Sequence, residues 1–136
     1  MPRIPFAILL LACAFSFAPG PASPAPVKPS FDCRKAKTDI EKQICAVPEY
    51  SALDRDIAAM FAKALKLLPA ADVARLKADQ VKWLGERNDC IDLIHGENPV
   101  VFADVHVCLG DQLRKRAKEL KAILDSGKLP EATEPQ

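Results

Sequence analysis

Gln80-Val-Lys-Trp-Leu-Gly-Glu-Arg-Asn-Asp-Cys90 is the stretch from which the fold is read. Counting from Leu76, the residues Gln80, Trp83, Arg87 and Cys90 follow at intervals of four, three, four and three. On an α-helix they therefore line one face, about 21 Å long at about 1.5 Å per residue. A face that carries leucine and the chain's only tryptophan belongs against a core. The glutamine and arginine on it then need partners, because an unpaired buried polar group costs about 1 to 3 kcal/mol. The spacing predicts a helix from about Ala70 to Asp92 that forms the spine of a small helical domain.

On the N-terminal side, Thr38-Asp-Ile-Glu41 has the form of a capping box and predicts a short helix reaching about Cys45. Pro48 suits the first turn of a second helix, where a missing amide hydrogen costs nothing. Leu53, Ile57, Met60, Phe61, Ala64, Leu65 and Leu68 keep helical spacing after it, and Pro69 closes that run. On the C-terminal side the pattern lapses at Gly96-Glu-Asn-Pro99. It resumes from Asp104, read as an N-cap, through Cys108, Leu113, Leu120 and Leu124 to Gly127. Gly85 inside the spine suggests a close helix crossing. No strand alternation is long enough to build a sheet. The expectation is an all-α fold, a disulfide-bonded bundle of about four helices over residues 31–127, with a Pro-rich leader at 23–30 and a mobile tail at 128–136.

Residues 1–22 have the layout of a secretory signal peptide: one positive charge at Arg3, an apolar run from Ile4 to Ala18, and a small, Pro-rich end. The run is too short and wrongly flanked for a membrane span. Cleavage after Ala22 is the preferred reading, giving a periplasmic or secreted protein. The alternative takes Leu10-Leu-Ala-Cys13 as a lipoprotein signal and leaves a lipid anchor on Cys13 in the envelope. Losing Arg3 leaves 18 basic and 18 acidic residues. A neutral chain without a basic stripe excludes nucleic acid as a partner.

The mature chain keeps Cys33, Cys45, Cys90 and Cys108, an even set that in an exported domain reads as a disulfide framework. Four cysteines allow three connectivities. Pairing Cys33 with Cys45 and Cys90 with Cys108 is preferred, because each pair brackets one local segment. No close cysteine pair suggests zinc, and His95 and His106 with Asp92, Glu97 and Asp104 match no ligand spacing. No metal or other cofactor is expected. The serines have no activating base in any motif, and the acids are spread over helix faces. The chain does not read as an enzyme. Gln80 and Arg87 read as structural, with Arg87 paired to a carboxylate such as Asp54 and stacked near Trp83.

Phe31-Asp-Cys33-Arg-Lys-Ala36, Glu41-Lys-x-Ile-Cys45, Leu53-Asp54, Gln80-x-x-Trp83-Leu84-x-x-Arg87-Asn-Asp-Cys90 and Cys108-Leu109 followed by Arg116 resemble the lysozyme-inhibitor LprI-like family of exported bacterial proteins. The resemblance spans Phe31 to Leu124. Phe61 and Leu113 depart from it, standing where tyrosines are expected, and the segment between Cys90 and Cys108 is longer than the family's usual link. The resemblance implies a helical binding protein that occludes a lysozyme cleft. The alternative is an envelope structural or assembly protein without lysozyme activity.

For such a partner the expected contact is the segment between Cys90 and Cys108. From Asn88 to Val107 the chain has Asp89, Asp92, Glu97 and Asp104 but no lysine or arginine. Val100, Val101 and Phe102 lie in its middle as an apolar anchor, and the acids can steer a basic enzyme.

Overall fold

The computed structural model describes residues 25–91 and 102–131, with the side chains of 102–104 excepted. The expected leader at 1–22, with Cys13, and residues Asp92, His95, Glu97, Val100 and Val101 lie outside the described residues. Within them the elements are a 3-10 turn at Cys33–Lys35 and four α-helices: α1 Asp39–Ala46, α2 Pro48–Leu67, α3 Ala70–Asp89 and α4 Phe102–Ser126. The fold is all-α, with two disulfides, Cys33–Cys45 and Cys90–Cys108.

The helix starts follow from local chemistry. Thr38 Oγ1 accepts from the Glu41 amide at 3.2 Å, and Glu41 Oε2 accepts from the amides of Thr38 at 3.0 Å and Lys37 at 2.7 Å. Backbone donors that have no partner within the helix are thereby satisfied. Pro48 opens α2, and Pro69 caps the start of α3. Between α1 and α2, the buried Ser51 hydroxyl donates to the Ile44 carbonyl at 2.8 Å, which fixes the sharp bend.

α2 packs most extensively on α4, and α1 lies against α2. Tyr50 donates from its hydroxyl to the His106 carbonyl at 2.8 Å, and Glu49 pairs with Arg114 at 2.9 Å. Further along, Leu53 and Met60 flank Ala117 and Lys121. The chain therefore runs up α2, down α3 and up α4, and α2 and α4 are parallel. Ile40, Ile44, Ile57, Leu76, Leu109, Leu113 and Leu120 form the centre of the core. Phe61 and Leu113, the two positions where tyrosine was expected, both pack as apolar residues in or against it.

Several boundaries differ from those expected. α4 begins at Phe102, so Asp104 is inside its first turn rather than its N-cap. An acid is favourable at either place, because both lie at the positive end of the helix dipole. α3 stops at Asp89, where Cys90 and Ile91 turn back onto the carbonyls of Arg87 and Asn88. Gly85 marks no helix crossing: a Cβ there would meet nothing within 4 Å. The close approach is at Gly110, where a Cβ would lie 2.8 Å from Arg114 Nη2 and 3.1 Å from the Tyr50 hydroxyl. Gly127 ends α4 at φ +66°, and its amide donates to the Ile123 carbonyl at 2.8 Å. Beyond it, Leu129 packs against the core and Arg75 Nη2 donates to the Pro130 carbonyl at 3.1 Å. The start of the expected tail thus folds back onto α3, because Leu129 has apolar surface to bury.

Candidate functional site

The spine helix presents Leu76, Trp83 and Cys90 fully inward and keeps Gln80 and Arg87 half-buried beside them. Trp83 Nε1 donates to the Gln112 carbonyl at 3.2 Å, which joins α3 to α4. Two guanidinium groups approach its ring: Arg87 at 5.4 Å and Arg116 at 5.9 Å from the centroid. Both lie within cation–π range.

Arg116 is the buried cation, with 5% of its surface exposed. Its Nε and Nη2 donate to Gln80 Oε1 at 2.9 and 2.8 Å, and its Nη1 pairs with Glu119 Oε2 at 3.1 Å. A planar fork gripping one amide oxygen is an arrangement that lysine could not reproduce. It also gives Gln80 its required partner on α4 rather than on its own helix.

Arg87 is placed differently from the expected ion pair with Asp54. Its Nε and Nη2 donate to Asn88 Oδ1 at 3.3 and 3.1 Å. Asp54, only 7% exposed, has its Oδ2 occupied by the Ser30 amide at 2.7 Å and the Ser30 hydroxyl at 2.6 Å. Burial pulls the Arg87 pKa below the usual guanidinium range, while the carboxylates of Asp54 and Glu41 push it back up. The expected stacking on Trp83 is present; the carboxylate acts on Arg87 through space instead of through a bond.

Asp54, Gln80, Trp83 and Arg87 line one recess of about 180 Å³ that is closed on another side by Ser30 and Phe31. Residues separated along the chain as Leu53-Asp54 and Gln80 to Arg87 are thus brought together, with Arg116 joined through Gln80 and Trp83. Ser30 and Glu119 were not singled out in the sequence. Glu119 carries a readable signal, its three-residue spacing from Arg116 on one helix. Ser30, 24 residues from Asp54, carries none. Of the expected partner-contact residues, Phe102 and Asp104 fall in the first turn of α4, and Asp92, Glu97, Val100 and Val101 lie outside the described residues.

Among the described residues no group of three or more His, Cys, Asp or Glu side chains could hold a metal ion.

Residues 33–120 match the family model described as lysozyme inhibitor LprI. The chain belongs to that family. The matched span takes in all four cysteines of the two disulfides and every member of the Asp54, Gln80, Trp83, Arg87 and Arg116 cluster. The protein is also 29% identical, over 137 aligned positions, to an uncharacterized protein of Rhizobium meliloti (strain 1021), covering 87% of this chain and 91% of that relative. No solved structure matches this LprI-family chain.

Proposed function

We propose that this LprI-family protein is exported and inhibits a lysozyme by seating residues 31–127, its binding domain, against the enzyme's cleft. The observation that carries the reading is the family match over residues 33–120. The two disulfides support the exported half of it, because such bonds persist in oxidising compartments. The composition of the first 22 residues supports it too. The protein acts by binding, not by catalysis.

The proposed grip is the segment between Cys90 and Cys108, using Asp92, Glu97 and Asp104 to attract a cationic enzyme and Val100, Val101 and Phe102 to anchor in it. Its ends are fastened by a disulfide with Cα atoms 5.7 Å apart, which limits the entropy that the segment loses on binding.

A turbidity assay of lysozyme on bacterial cell walls, with the purified mature protein added, tests the function. Dose-dependent slowing of clearance is expected. Full clearance rates at saturating protein would leave a family fold that serves the envelope in a structural or assembly role. The site is tested by Asp92→Lys with Glu97→Lys: the association rate with lysozyme should fall and the dissociation rate should change little. Unchanged association kinetics, with an intact circular dichroism spectrum, would remove this segment as the contact.

A further inference from the structure

A seam is left open where α2 and α4 lie side by side. Leu53, Ala59 and Met60 of α2 and Ala117 of α4 line a groove of about 490 Å³. Leu53 and Met60 pack against the core yet keep part of their surface in water. Leu67, seven residues beyond Met60 on the same row of α2, is 51% exposed. The rim is charged with one dominant sign: Lys63 from α2 and Lys118 and Lys121 from α4, against Asp56 alone. Asp56 is engaged by Arg55 at 3.0 Å and Lys121 by Asp125 at 2.6 Å. Among the described residues, neither Lys63 nor Lys118 has an ion-pair partner. Two uncompensated positive charges therefore stand over an apolar floor, one on each wall.

We propose that this groove docks an amphipathic helix of a partner protein, one whose apolar row is flanked by acidic residues. From Leu53 to Lys63 the groove runs ten residues along α2, about 15 Å or three helical turns. A third helix laid in the seam would present anchors at i, i+3 or i+4, and i+7 over that length. Met60 is the adaptable residue of the floor, since an unbranched thioether side chain repacks against differently shaped neighbours. The lysines select the sign of the partner's flanks. They repel a cationic lysozyme, so this surface is distinct from the contact of the proposed inhibitor and does not depend on that reading. A bilayer fits less well, because the apolar residues line a groove between two helices instead of a protruding face. A helix ridge can fill such a recess, whereas a membrane surface cannot enter it.

The test uses the purified protein with both disulfides formed, isotope-labelled for NMR. Two synthetic peptides of about five helical turns serve as probes: one with leucines at i, i+3, i+4 and i+7 flanked by glutamates, and one with lysine in place of every glutamate. The acidic peptide should shift the amide resonances of Met60, Lys63, Ala117 and Lys118 and bind about tenfold tighter than the basic one. The variant Lys63→Glu with Lys118→Glu should melt at the wild-type temperature and reverse that preference. Equal binding of the two peptides, shifts confined to other surfaces, or a preference that survives the double charge reversal would overturn the proposal. So would binding of phosphatidylglycerol vesicles at these residues in place of the acidic peptide, which would assign the face to a membrane.

Discussion

Arg116 and Arg87 hold their guanidinium carbons 5.9 and 5.4 Å from the centre of one indole ring, in opposite circumstances. On the α4 side, Arg116 is buried and spends its donors on Gln80 and Glu119. On the N-terminal side, Arg87 is half-buried, its bonds go to the exposed neighbour Asn88, and the nearby carboxylate of Asp54 is taken by Ser30. Proximity to the same aromatic ring thus says little about what an arginine contributes. The difference lies in which other groups would be stranded by its removal.

The largest effect should come from deleting the ring that both arginines share. Trp83→Ala empties a large buried site and releases the Gln112 carbonyl, and should lower stability by about 3 to 5 kcal/mol, measured by denaturant unfolding. A loss under about 1 kcal/mol would mean that the ring is not a core element. Next comes Arg116→Ala. It leaves Gln80 Oε1 without its two donors and opens a void, and should cost about 2 to 4 kcal/mol by the same measurement. Arg87→Ala strands no buried acceptor. It should cost about 1 kcal/mol, the scale of a partly exposed cation–π contact. Equal losses for the two arginines would mean that stranded partners do not set what each one contributes.

The outer face of the same helix supplies a control of opposite sign. Gly85 has open space around its missing Cβ and an ordinary helical φ. Gly85→Ala should therefore raise stability by about 0.5 to 1 kcal/mol. The smallest effect expected is a pH dependence on the Arg87 side. Amide donors from Thr38 and Lys37, with a further contribution from Arg87, hold the Glu41 carboxyl below its usual 4.5. The folded chain then takes up that proton less readily than the unfolded chain. Its contribution is complete above pH 4.5 and is lost as pH falls through the lower folded-state value. Melting temperatures of wild type and Glu41→Gln should converge on acidification below pH 4.5.

The parts of the fold that the sequence makes legible are those governed by neighbours along the chain. The capping box at Thr38 and Glu41, the prolines at 48 and 69 and the periodic face from Leu76 to Cys90 all act over four residues or fewer at each step, so a linear reading reaches them. The disulfides were reachable because each closes around one segment. The partners inside the cluster were not. Gln80 and Arg116 are 36 residues apart, and Ser30 and Asp54 are 24 apart. Helical spacing fixes which face a residue occupies but not which distant side chain it meets there. For that reason spacing points Arg87 to a carboxylate such as Asp54, while in the fold Ser30 takes that one. Gly85 and Gly110 show the same limit, since only packing tells an open glycine from a crowded one.

The indole also has a use that does not depend on any partner. It is the chain's only tryptophan, its ring is shielded from water and its N–H is bound to a fixed carbonyl. Tryptophan emission from this protein therefore comes from one known position at the junction of α3 and α4, in an environment that disappears on unfolding. A shift of that emission to longer wavelength registers separation of those two helices specifically. The molecule carries its own optical gauge of whether its centre is intact, without a label and without an engineered residue.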